Sequence, residues 1–207
     1  MRARPLPQHR RPSAAASPEG NEQLTAMTGA VLLVGFAVEG VTLTELHKLI
    51  WLHFAVGFLL IGPVILKIGA TLYRFVRYYA GSEPYLRKGP PAPLPRLLGP
   101  LVILTSIAVL GTGVMLAIAG PGSGIWLFLH KATFVVWFGV MTIHVCAYAP
   151  RLPRLLGRRH SASSGPVSVA GAPARYIALA CALAGGIAVA AIATHLSSHW
   201  NGGFGFH

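Results

Sequence analysis

Charge is what this chain has little of. Only 11% of its 207 residues are Asp, Glu, Lys or Arg, where a soluble domain carries about 25%. Just five residues are acidic, too few and too scattered to build a carboxylate metal cage. Cysteine is as scarce: Cys146 and Cys181 both lie in apolar runs, with no CxxC motif and no disulfide framework. No Gly-rich phosphate loop, HExxH motif or Ser/His/Asp order occurs, which removes the common hydrolase and nucleotide-binding readings. The strict alternation of a membrane β-barrel is missing, and no repeat of 20 to 50 residues points to a solenoid.

Long apolar runs are present instead. Hydrophobic residues make up 54% of the chain, and several stretches reach the roughly 20 residues that cross a hydrocarbon core of about 30 Å. The pattern predicts an all-α integral membrane bundle of about five transmembrane helices, with four in a core and one more at the C-terminus. The expected spans are 24–43, 44–79, 97–119, 125–148 and 176–193. The second outruns the bilayer, so its inner end projects into water. The fifth is rich in Ala and Gly, which suits close helix packing in lipid. Around them, residues 1–21 read as a basic, disordered tail and 22–156 as the four-helix bundle. Residues 157–173 then read as a linker, 174–200 as the fifth helix and 201–207 as an external tail. The GPPAPLPR stretch at 89–96 breaks the chain before the third span. A secretory signal is not expected, because the first apolar segment is long and lacks a small-residue cleavage site after it.

The basic residues give the orientation. Arg2, Arg4, Arg10 and Arg11 precede the first span. Lys67, Arg74, Arg77, Arg87, Lys88 and Arg96 follow the second. Arg151, Arg154, Arg158, Arg159 and Arg175 follow the fourth. Fifteen of seventeen fall on one side, leaving Lys48 and Lys131 for the other. Positive loops stay inside, so the N-terminus is expected inside and the C-terminus outside, in a cell (inner) membrane. A formal net charge of +12 then faces anionic lipid and does not imply nucleic acid.

Nine histidines remain. His47 and His53 fall near the outer end of the second span, His130 near that of the fourth, and His195 and His199 at that of the fifth. His144 is in the inner half. The second and fourth spans run in the same direction, with His53 and His130 at matched depth. They can therefore present two imidazoles to one object, as a haem iron requires. His130 and His144 are fourteen residues apart, on nearly one helix face and about 21 Å apart along the axis. That separation suits two cofactors stacked across a membrane. Gly57, one turn after His53, would leave room for a flat macrocycle.

On these residues the chain resembles the membrane cytochrome b subunits of respiratory formate dehydrogenases and nickel–iron hydrogenases, and the wider cytochrome b561-like group. The resemblance covers about 24–150. It implies a helical bundle that holds b-type haem on His53 and His130 and passes electrons as a subunit of an oxidoreductase, not as a stand-alone enzyme. A second haem on His144 lacks a partner: the position fourteen after His53 is Lys67, and Met27 is a poor ligand. One haem b is therefore expected, with a second left open. An outer-side oxidoreductase subunit is the expected partner, and quinone is left open as a further one.

Each residue has a plainer alternative. His53 and His130 would otherwise be interfacial residues bonded to carbonyls or headgroups. His47 would be interfacial or a substitute ligand. His144 would bond to a neighbouring helix in the company of Lys67 or Ser106, and Lys67 would snorkel. Glu39, the one acid well inside a span, would be solvated, accept a proton or hold a ligand's ring. His195 and His199, at i and i+4, have the helical spacing of a transition-metal pair. Trp51, Trp126, Trp137 and Trp200 read as interface belts and packing. Two other functions thus stay open: a non-haem metal or proton-handling protein, and a cofactor-free structural or assembly subunit.

Overall fold

A computed structural model describes residues 18–89, 93–148 and 172–200 of the chain. The expected tail up to residue 17, the linker 157–171 and the external tail 201–207 lie outside the described residues, with the arginines they carry. The described residues form helices α1 (Pro18–Thr42), α2 (Leu46–Tyr79), α3 (Glu83–Arg87), α4 (Pro93–Ala119), α5 (Gly124–Tyr148) and α6 (Ala172–Ala193). A 3-10 turn, Leu43–Glu45, joins α1 to α2, and a 3-10 segment, Thr194–Trp200, ends the described chain.

Four helical stretches are long and apolar enough to cross a membrane, the first running from Pro18 to Tyr79. That first stretch is folded back on itself. Asn21 donates to the carbonyl of Ala70 at 3.0 Å, Lys67 donates to that of Thr25, and Glu39 meets His53 at 3.0 Å. Only an antiparallel hairpin brings these pairs together, so α1 and α2 are separate helices of that stretch and the described residues hold five long helices. Many large apolar side chains point outward, among them Val34, Ile65, Leu104, Val135 and Ile192. Exposed apolar surface on this scale belongs in lipid.

The ends of these helices follow from local chemistry. α1 starts on Pro18 with Glu19 in its first turn, a residue pair that suits a helix N-terminus. It begins four residues inside the expected tail, which therefore ends no later than 17. The α4–α5 turn passes through Gly120 at φ +80°, whose amide returns to the Leu116 carbonyl at 3.0 Å. Such a left-handed C-terminal cap is open to glycine at little cost. α2 bends at Leu49 (φ −107°, ψ 15°) and then runs on for 30 residues, longer than a bilayer crossing needs. Arg74 near its C-terminus and Lys88 reach Glu22 at 3.3 and 2.7 Å, tying the end of α2 and the segment after α3 to α1.

α2 is the central helix. Its widest contact is with α6, followed by the α4–α5 hairpin's contact with itself and by α1–α2, while α2 meets α4 much more sparingly. The C-terminal helix is thus part of the core and not an appendage to four others. The α2–α6 crossing is set by two glycines. A Cβ on Gly62 would collide with the Ala182 carbonyl, and one on Gly186 with the Leu59 carbonyl. Leu59 is four residues before Pro63, whose ring nitrogen offers no proton to that carbonyl. The backbone of Gly186 therefore packs on the one oxygen that the proline leaves unpaired in its helix, close enough for a Cα–H contact. Buried Phe54, Phe58, Ala190, Ala193, Leu116, Ala117 and Trp200 continue the core toward the end where α2 begins.

Candidate functional site

α2 runs antiparallel to α1, α5 runs antiparallel to α4, and α2 and α5 run in the same direction. His53 is the eighth residue of α2 and His130 the seventh of α5, so the two rings arrive at one level. Their centres are 6.4 Å apart with the planes inclined at 72°. With a metal–nitrogen bond of about 2 Å on each side and about 1 Å from nitrogen to ring centre, two axial imidazoles have centres roughly 6 Å apart. The observed spacing fits a ligand pair about one iron.

Each ring is also held from behind. His53 Nδ1 lies 3.0 Å from Glu39 Oε1 and 3.0 Å from the Thr42 hydroxyl. His130 Nδ1 lies 3.3 Å from the Thr112 hydroxyl. A hydroxyl has a single proton, and here each one points to its own helix: Thr42 donates to the Glu39 carbonyl at 2.6 Å, Thr112 to the Ala108 carbonyl at 2.8 Å. The hydroxyl oxygens and the carboxylate therefore accept. Nδ1 of His53 faces a carboxylate that can only accept, so it carries the proton and leaves Nε2 the lone pair that a metal binds; the Thr112 hydroxyl can hold His130 in the same tautomer. Ligands held in this way have their tautomer and ring orientation fixed. Thr133 supports the arrangement at 2.9 Å from the Thr112 hydroxyl.

Two glycines make the space. A Cβ on Gly113 would stand 3.0 Å from His130 Cε1, so the ring lies directly on the α4 backbone. A Cβ on Gly57 would stand 3.2 Å from Glu39 Oε1. Gly57 was expected to admit a macrocycle; its role in the structure is to admit the carboxylate that grips His53. Inward of the pair, Ile61, Val64, Ile65, Ile68, Ile107, Leu110, Gly111 and Val114 line an apolar groove of about 260 Å³ between α2 and α4. On α4 the groove takes the face of Ile107, Leu110, Gly111 and Val114, roughly opposite the face of Thr112 and Gly113 that meets His130, and neither imidazole lines it.

The other histidines are placed differently. His47 is exposed, on the far side of the Leu49 bend from His53. His144 stacks on Tyr148 at 4.7 Å, with a buried Nδ1 that has no hydrogen-bond partner. It has Lys67 within electrostatic reach but not Ser106, which accepts from Trp137 at 3.1 Å. Lys67 does not snorkel: its ammonium turns onto α1, over Gly29. Met27 is on α1, and no second histidine is near His144 in the inner half among the described residues. His195 and His199 lie in the 3-10 segment and not on an α-helix. At 3.0 residues per turn, positions i and i+4 diverge by about 120°, and His195 Nδ1 meets the Ile192 carbonyl. The shared face that would make them a metal pair is not formed.

Thr42 and Thr112 are the site residues that the sequence did not reveal. Pairing the two hairpins in register would have found both, since each faces its histidine across a short turn. No cluster of three or more His, Cys, Asp or Glu able to hold a metal ion occurs among the described residues. No protein-family model, curated protein or solved structure matches this chain.

Proposed function

We propose that the protein is a membrane-embedded b-type cytochrome, with His53 and His130 as the axial ligands of one haem b. The observation that carries the reading is the pair of imidazoles 6.4 Å apart, each with Nδ1 facing an acceptor. A bare transition-metal ion asks for three or four protein ligands, whereas a haem iron, with four nitrogens from its macrocycle, asks for two. Two imidazoles without a third donor suit the second case.

The bound group supplies one-electron transfer. The chain's own residues orient it: Glu39 and Thr42 hold His53, Thr112 holds His130, and Gly113 lets His130 lie flat on α4. Among the described residues the site brings together imidazoles, hydroxyls and one carboxylate and no nucleophile, which supports an electron-transfer subunit in a lipid bilayer that leaves substrate chemistry to a partner. The basic asymmetry in the sequence supports an inside N-terminus in a cell membrane, which puts the His53–His130 level near the outer surface. An outer-side oxidoreductase subunit is then the electron partner, and quinone is a candidate for the exchange within the membrane.

A pyridine haemochrome spectrum of the purified protein tests the reading. Haem b is expected in the wild type, with most of the low-spin absorbance lost in His53→Ala and in His130→Ala. A full spectrum in the double variant would mean that other residues bind the iron.

A further inference from the structure

Glu39 is an anomaly in this fold. It is the one acidic residue well inside the apolar length of the α1–α2 hairpin. Its side chain is 19% exposed, and its only ion-pair partner among the described residues is His53. Oε1 holds the His53 Nδ1, while Oε2 is buried without any hydrogen-bond partner. The other acids differ. Glu19 and Glu22 bond to Lys88 at the inner end, Glu83 pairs with Arg87, and Glu45 pairs with Lys48 in the open. A carboxylate four-fifths buried, with one oxygen unbonded and no Lys or Arg paired with it among the described residues, is costly, so its position calls for a compensating charge.

His53 is where that charge would be felt, and the two imidazoles are unequal in this respect. His130 leans on neutral groups, the Thr112 hydroxyl and the Val109 backbone, whereas His53 meets a carboxylate beside the Thr42 hydroxyl. A carboxylate accepting from Nδ1–H raises the basicity of the metal-binding nitrogen opposite. Its full negative charge, little screened at this depth, also favours whichever oxidation state of the centre is more positive. Both effects act in the same direction. We infer that Glu39 is the positioning residue that sets the reduction potential of the centre, holding His53 as the stronger ligand and biasing the iron toward its oxidised state. This rests on the haem reading above.

Glu39→Gln keeps an oxygen for His53 Nδ1 and removes the charge. In a redox titration of the full-length protein in detergent, it should keep the haemochrome spectrum and favour reduction at least tenfold, which for one electron is about 59 mV upward. Glu45→Gln removes an exposed carboxylate already paired with Lys48 and should leave the potential at the wild-type value. Thr42→Val leaves the carboxylate as the sole acceptor on His53 and should give a potential at or below wild type. An unchanged potential in Glu39→Gln, with haem still bound, overturns the inference and leaves the haem site intact. An equal rise in Glu45→Gln, or a rise in Thr42→Val, overturns it too, the second even where Glu39→Gln loses its haem. Wild-type protein without haem overturns both the inference and the reading it rests on.

Discussion

Glu39 and His53 meet at 3.0 Å across the α1–α2 turn, and nothing but the hydrogen of Gly57 stands where a Cβ would press on the carboxylate. A helix hairpin, a glycine and an acid thereby fix one imidazole before any second helix is involved. The same device recurs across the α4–α5 turn, where Thr112 and Gly113 fix His130.

Gly113→Val should disturb the site more than Gly57→Ala. A side chain at 113 presses on the His130 ring itself, starting from a 3.0 Å Cβ contact. At 57 it presses at 3.2 Å on an oxygen at the end of a flexible side chain. We expect haem content to fall severalfold in Gly113→Val and to be nearly unchanged in Gly57→Ala, measured as absorbance ratio to protein. Equal loss in both variants would argue against His130 resting on α4.

One haem per chain is expected, because His144 has Tyr148 and Lys67 for company and no facing imidazole among the described residues. His144→Ala should leave both the haem-to-protein ratio and the single redox transition as they are. His47→Ala, on an exposed residue beyond the bend, should do the same. Disappearance of a second transition in His144→Ala would establish a second centre.

The α2–α6 crossing should be the most sensitive packing site in the molecule. Gly62→Val or Gly186→Val drives a side chain into a carbonyl of the opposite helix, at an overpacking cost of about 1–3 kcal/mol or more. Gly69, on the same helix with open space around its Cα, is the control. Gly69→Ala should be neutral or stabilise by about 0.5–1 kcal/mol. Thermal unfolding in detergent, followed by far-UV circular dichroism, reads all three.

The inside N-terminus is tested by labelling single cysteines in intact cells, in a background with Cys146 and Cys181 replaced. A membrane-impermeant thiol reagent should react at Gly203→Cys and spare Ser13→Cys. Reaction at position 13 alone would invert the topology.

The helices were legible in the sequence to within a few residues at most ends, because apolar length and Gly or Pro punctuation carry that information. The matched depth of His53 and His130 was legible as well, since each stands about two turns from the start of its helix. What grips them was not. Thr42 and Thr112 look like any helical threonine bonded to a carbonyl three or four residues back, and only the register of each hairpin turns that oxygen toward an imidazole. Gly57 was singled out correctly as a place where space matters, but the space admits a neighbour's carboxylate. His195 and His199 misled because i and i+4 means one face only at 3.6 residues per turn, and the chain tightens there to 3.0.

Pro63 cannot donate to the Leu59 carbonyl four residues before it, and Gly186 of α6 packs its backbone on that same oxygen. Leu59 stands less than two turns from His53 on one helix. A single helix thus carries both an imidazole of the pair and the seat of the C-terminal helix, so a shift in how α6 packs is felt in the helix that presents His53.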